Sequence, residues 1–197
     1  MGRVLARIAS VVSAVVLIGG VAMLLGAAPA GATNTYTPEA GLPAAPSGPD
    51  QVVAPGGTIG STCGAGLADY TGITYATIQD AVNNASPGDT IYVCAGTYAE
   101  TVSVTMDNLT LDGAQWSIPA PGRSAPESDI TPALNADAVD YTGAVPTGTL
   151  QGFTLTGTAD ATSPVVGIND NTDTAPDHFT WQNNVIDGFT VGITFHA

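Results

Sequence analysis

One short stretch of the chain has a helical period, and it sits among runs that alternate. Ile78, Ala81, Val82 and Ala85 recur at i, i+3, i+4 and i+7, while Gln79, Asp80, Asn83 and Asn84 take the opposite face. Thr77 and Asp80 have the spacing of a capping box, and Ser86-Pro87-Gly88 stops the helix, which predicts a helix over 77–85. The runs that follow have period two. Thr90 to Cys94 sets Ile91 and Val93 against Tyr92, Thr101 to Val104 puts Val102 and Val104 on one face, and Leu109 and Leu111 do the same. Gly96, Asn108 and Gly113 punctuate them. Residues 114 to 137 are rich in Pro, Ser and Ala and read as a long excursion from a regular scaffold. Residues 33 to 62 show no apolar period and read as a flexible Pro/Gly/Ala-rich linker or stalk, so order is expected to begin near Cys63.

The strands repeat. Asn108-Leu109-Thr110-Leu111-Asp112-Gly113 returns as Gly152-Phe153-Thr154-Leu155-Thr156-Gly157 and as Asn183-Asn184-Val185-Ile186-Asp187-Gly188. The last two copies extend backwards, Leu150-Gln151 matching Trp181-Gln182. Val166-Gly167-Ile168 returns as Val191-Gly192-Ile193, a displacement of 191 − 166 = 25, against 183 − 152 = 31 for the larger element. A period of this size built from short strands and Gly/Asn turns is the signature of a solenoid, in which each coil buries its apolar face only against its neighbours.

The first residues change the picture of where the chain works. Arg3 and Arg7 precede Ile8 to Ala28, an uncharged run of 21 residues, and Ala30-Gly31-Ala32 follows. This is the build of a secretory signal peptide over 1–32. The run is also long enough to span a bilayer, so an uncleaved N-terminal membrane anchor is the rival reading. Cleavage after Ala32 leaves 197 − 32 = 165 residues of charge 1 − 17 = −16, with Arg123 the single fixed cation. Such a surface repels nucleic acid and anionic lipid headgroups, which excludes both as partners, and it repels polyanionic glycans unless a divalent cation bridges them. Acidity also keeps an exported protein soluble. Cys63 and Cys94 fit an oxidising compartment, and paired they close a loop worth about 3–4 kcal/mol. With only His178 and His196 available they make a poor metal set, and no base partner for a nucleophilic thiol is evident.

Taken together, Thr77-Ile78-Gln79-Asp80-Ala81-Val82, Gly88-Asp89-Thr90-Ile91-Tyr92-Val93-Cys94-Ala95-Gly96-Thr97-Tyr98-Ala99-Glu100 and Leu109-Thr110-Leu111-Asp112-Gly113 resemble the opening of the pectin lyase-like superfamily. Pectin methylesterases begin similarly. The resemblance covers 63–113 well and 148–195 as generic β-helix repeats. It implies an all-β fold, a right-handed parallel β-helix over 63–197 with an N-terminal capping α-helix. It also implies a disulfide between Cys63 and Cys94, and stacked asparagines at Asn183 and Asn184.

The chemistry of the relatives does not follow. A pectin methylesterase-like site needs two carboxylates with an Arg and glutamines nearby. Asp112 and Asp187 read as equivalent repeat positions, but no Arg is near either. A pectate lyase-like site needs calcium carboxylates and a basic residue, and Arg123 reads as a solvated loop residue. Asn171-Thr172-Asp173 coincides with a polygalacturonase tripeptide, without its companion motifs. Asp170, Asp173 and Asp177 share one acidic loop and could supply oxygens to calcium, although the spacing is not that of an EF-hand. Trp181 and Phe189 read as coil core.

The sequence therefore supports a secreted or cell-surface β-helix protein whose side faces an extracellular polysaccharide or envelope component, with no catalytic set and no cofactor beyond that calcium option. The alternatives are an N-terminal part of an extracellular carbohydrate-active enzyme and a structural or adhesive stalk. Val191 to Phe195 is still strand-like with only His196 and Ala197 beyond it, which leads us to expect an incomplete solenoid or end-to-end self-association.

Overall fold

The computed structural model describes residues 36–124, 126–145, 147–160, 164–172 and 178–195. Its strands are short and parallel, and they form three sheets. The first strands, β1 (Gln51–Val53) and β2 (Thr74–Tyr75), pair with each other. A six-residue helix, α1 (Ile78–Asn83), follows. Four coils then each contribute one strand to each sheet. The first coil is β3 (Thr90–Val93), β4 (Gly96–Tyr98) and β5 (Val102–Val104). The second is β6 (Leu109–Asp112), β7 (Ser128–Ile130) and β8 (Val139–Gly143). The third is β9 (Thr147–Gln151), β10 (Phe153–Thr156) and β11 (Val166–Thr172). The fourth is β12 (His178–Gln182), β13 (Val185–Asp187) and β14 (Val191–Thr194). Sheet A runs β12-β9-β6-β3-β1-β2, sheet B β13-β10-β7-β4 and sheet C β14-β11-β8-β5. This is a three-sided parallel β-solenoid.

Register turns the alternation into columns. Ile91, Leu111, Leu150 and Trp181 are successive partners on the inner face of sheet A. Tyr98, Ile130, Leu155 and Ile186 line up in sheet B, and Val102, Val139, Ile168 and Ile193 in sheet C. Members from the first three coils are almost fully buried, each worth about 1.5–3 kcal/mol of transfer free energy. In the fourth coil the same columns open: Trp181 and Ile186 are half-buried and Ile193 is exposed, and Phe195 beyond it is 71% exposed. Phe179 stacks on Trp181 at 5.4 Å between centroids, flanked by Tyr141 and Phe195.

The last two bends between sheets A and B have left-handed backbone. Gly152 and Asn183 occupy equivalent positions there with φ of 78° and 55°. A Cβ at Gly152 would also overlap the Trp116 backbone, so only glycine fits. Asn184 locks one coil to the previous one, donating to the Leu150 carbonyl at 2.8 Å and accepting from the Phe153 amide at 3.0 Å.

Several expectations are corrected. The stretch read as a linker over 33–62 is structured from residue 36 where it is described. Val52 and Val53 are fully buried in β1, which lies between β2 and β3. Its three-residue length hid it, because so short a strand shows no period. The excursion ends earlier than residue 137, since Ser128–Ile130 is the second strand of sheet B. The repeat is real for its last two copies, with Thr154 opposite Val185 and Val166 opposite Val191. Its first copy belongs elsewhere. Leu109–Asp112 lies in sheet A and pairs with 148–151, so Asp112 and Asp187 are not equivalent positions. Residues 169–172, read as part of an acidic loop, are the end of strand β11. The expected signal peptide, residues 33–35, Asp173, Asp177 and His196 lie outside the described residues.

Candidate functional site

The outer face of sheet A is where the solenoid meets other groups. Over β1 and β3 it is covered. Val52, Ala54 and Tyr92 point outward and pack with Cys63, Leu67 and Cys94, against which Tyr36, Ala45, Ile59, Tyr70 and Trp116 lie. The Cys63–Cys94 disulfide, fully buried, fastens this covering segment to the end of β3. The Tyr92 hydroxyl accepts from the Gly64 amide at 2.9 Å, and burial pushes its pKa up to about 12. The covering segment thus completes a second small core on the outside of the coil.

Over β6, β9 and β12 the same face carries polar rows. Thr110, Thr149 and Thr180 are successive partners, continuing a column that starts at Thr90. Asp112, Gln151 and Gln182 form the next row. Gln182 donates to the Gln151 side-chain oxygen, and Gln151 donates to Asp112 at 2.7 Å, so the row is one directed chain of hydrogen bonds ending on a carboxylate. Asp112 itself is buried, which raises its pKa, and the Gln151 bond opposes that. Exposure grows along the row from Asp112 through half-buried Gln151 to exposed Gln182. Trp116 stands at the bend beside it, its indole donating to the Ala44 carbonyl at 3.0 Å and its own carbonyl accepting from Asn183 at 2.9 Å. Asp107 anchors the start of β9 by accepting from the Thr147 amide and hydroxyl.

Arg123 was expected in solvent and is not there. Its side chain is 2% exposed, paired with Glu127 at 3.1 Å and donating to the Phe153 carbonyl at 3.1 Å. The two charges touch without a well-aligned hydrogen bond, and the guanidinium Nε has no partner. Burial lowers the Arg123 pKa and raises that of Glu127, each partly restored by the other's charge. An internal guanidinium already neutralised by a carboxylate is not placed to abstract a substrate proton.

Among the described residues the remaining carboxylates do not assemble into a pair with an evident task. Asp187 ends β13 on sheet B, on a different side of the coil from Asp112. On the outer face of sheet C, Asp140 has a raised pKa, chiefly from burial and then from the nearby Asp137 charge. Asp137 is already committed to the Val166 amide at 2.7 Å and the Asn169 side chain at 3.1 Å. Asp170, the one described member of the calcium option, faces inward beside Tyr141 and accepts from the Thr172 hydroxyl at 2.8 Å. Among the described residues no three His, Cys, Asp or Glu side chains converge as a metal site would require. His178 is exposed at the start of β12.

The sequence reading missed Gln151, Gln182 and the threonine column as a surface. The match of Leu150-Gln151 to Trp181-Gln182 was the available signal, and it placed one glutamine above the other. Asp112 fell out of that row because the excursion after it shifted the apparent repeat. Among the described residues no helix is long and apolar enough to cross a membrane. Comparison with protein-family models, curated proteins and solved structures finds no match to this chain, so the pectin lyase-like resemblance rests on the quoted residues and the parallel coils alone.

Proposed function

We propose that this chain is a secreted or cell-surface right-handed parallel β-helix of the pectin lyase-like type. On this reading it binds an extracellular polysaccharide or another envelope component without transforming it. The reading is carried by one observation: the uncovered part of sheet A's outer face is a regular lattice of threonine hydroxyls and glutamine amides beside a tryptophan. Polysaccharides present hydroxyls in rows and apolar sugar faces, which such amides and aromatic rings match. Right-handedness follows the strong chiral preference of parallel crossovers. Helix α1 serves as the N-terminal cap, its apolar face against the first coil. Export is supported by the basic start, apolar run and Ala30-Gly31-Ala32 site, and by the disulfide.

An array of plant and microbial polysaccharides probed with the full chain tests the function. Retention on one class, with no release of reducing ends, unsaturated products or methanol, is the expected result. Turnover that disappears in Asp112→Asn or Asp140→Asn would instead make the protein an enzyme. N-terminal sequencing of exported protein should begin at Thr33, and a membrane-retained chain starting at Met1 would establish the anchor.

A further inference from the structure

The ladder on sheet A also carries information on what kind of polysaccharide it fits, an inference that rests on the binding role proposed above. Beyond Arg7 the chain has one Arg and no Lys, and the structure places that Arg inside, neutralised by Glu127. No guanidinium or ammonium is therefore available on any outer face of the described solenoid. Asp112, in the glutamine row, and Asp107, at the start of β9, are engaged with Gln151 and Thr147 and add negative potential there. A uronic-acid polymer would bring a carboxylate on each sugar to a surface that offers it no counter-charge. A hydroxyl-bearing uncharged chain meets no such cost.

The ladder is also built to present amides in a fixed sense. Asp112 accepts one Gln151 N–H and Gln151 accepts one Gln182 N–H, so each amide is held in a single flip state. That leaves the second N–H of each glutamine and the Gln182 oxygen for a ligand. Thr149 and Thr180 stand one row away on the same face, each able to donate and accept. Strands β6, β9 and β12 span about 10 Å at the usual strand spacing of ~4.8 Å. A short stretch of chain lying along the solenoid axis would touch them all.

We infer that Gln151, Gln182, Thr149 and Thr180, bordered by Trp116, form a subsite for a neutral polysaccharide and discriminate against uronic-acid polymers. Affinity electrophoresis of the full chain tests this with a mixed-linkage β-glucan, a galactomannan, a dextran and polygalacturonate, each in EDTA at physiological ionic strength. At least one neutral polymer should retard the protein, and polygalacturonate should not. Gln182→Ala and Thr180→Ala lie on exposed positions and should each weaken retardation about 2- to 10-fold, the size of a lost uncharged hydrogen bond. The double variant Thr180→Arg/Gln182→Arg should gain retardation by polygalacturonate. Circular dichroism checks that each variant keeps its β signal. Calcium-free binding of polygalacturonate by the native chain would overturn the inference and leave the polysaccharide-binding role standing. Neutral-polymer binding that ignores all three variants would place the subsite elsewhere and overturn it too. Retardation by no polysaccharide at all, here and on the array, would overturn both.

Discussion

Gln79 is the most informative residue to change in the scaffold. Strand β5 is the first strand of sheet C, and its outer edge has backbone groups that another strand would otherwise satisfy. Gln79 supplies that pairing from helix α1. Its side-chain oxygen accepts from the Ser103 amide at 2.7 Å, and its nitrogen donates to the Ser103 carbonyl at 3.1 Å. The amide thus stands in for a peptide unit of a missing strand. Glu100 holds the helix in place for this, accepting from the Ile78 and Gln79 amides at 2.9 Å each. Replacing Gln79 by Ala removes these two hydrogen bonds, each worth about 0.5–1.5 kcal/mol net, and an exposed third to the Asn83 side chain at 2.9 Å that adds little. Alanine's better helix propensity returns a few tenths of a kcal/mol. The expected loss is about 1–2.5 kcal/mol, at about 2–4 °C of melting temperature per kcal/mol for a chain of this size. Gln79→Glu should be worse at neutral pH, because a carboxylate cannot donate to the Ser103 carbonyl and sits near Glu100. It should recover partly in acid, where the protonated acid donates again. Urea denaturation gives the free energies, and hydrogen exchange at Ser103 localises them to the first coil, which a solenoid opens separately from the rest. If Gln79→Ala matched the native chain within about 0.3 kcal/mol, with Ser103 exchange unchanged, the strand-mimic reasoning would be wrong.

Other perturbations follow the same logic. Cys63→Ser/Cys94→Ser should cost about 3–4 kcal/mol for a bridge with a sequence separation of 31, read by urea midpoints under non-reducing conditions, and should loosen the segment over sheet A first. Arg123→Met leaves Glu127 without its counter-charge and should cost about 2–4 kcal/mol, below the ~3–5 of a fully buried pair because Glu127 is 20% exposed. Arg123→Met/Glu127→Gln should regain most of that, and a double variant as weak as the single would refute the pairing argument. The pKa values of Asp112, Glu127 and Asp140 are raised in the fold from the ordinary 3.8, 4.5 and 3.8. A carboxyl raised in the fold binds more protons folded than unfolded, so its penalty is present above the folded pKa and relieved below it. Urea midpoints should therefore rise as the pH falls from neutral toward the ordinary carboxylate range, and a flat profile would show that these groups titrate normally.

How much of this was legible in the sequence depends on the range of the interaction. Helix α1 was visible because its signals are local: Thr77 as N-cap, the apolar face of Ile78, Ala81 and Val82, and the stop that follows. The alternation of Ile91 with Val93 and of Leu109 with Leu111 was visible for the same reason, since pleat geometry sends every second side chain inward. Even the stacking of Gln151 with Gln182 and of Val166 with Val191 was present as a displaced repeat. β1 was not visible, because three residues cannot show a period and its strand character comes from pairing with β2 and β3.

What composition and local pattern determined is therefore the coil: the period-two strands, the turn residues at the bends, the acidic charge and the two cysteines. What only the tertiary structure decided is which strand lies beside which. The loop after Asp112 is long enough to change the register of the apparent repeat, so Asp112 joins the glutamines of sheet A instead of Asp187 of sheet B. The same folding buried the chain's one late arginine, which pairs with Glu127 four residues on and reaches the Phe153 carbonyl of the adjoining coil, a contact that no sequence period encodes. Strand alternation is set by steric geometry within a few residues, whereas register and hydrogen bonds across coils depend on how loops of unequal length return the chain to its stack.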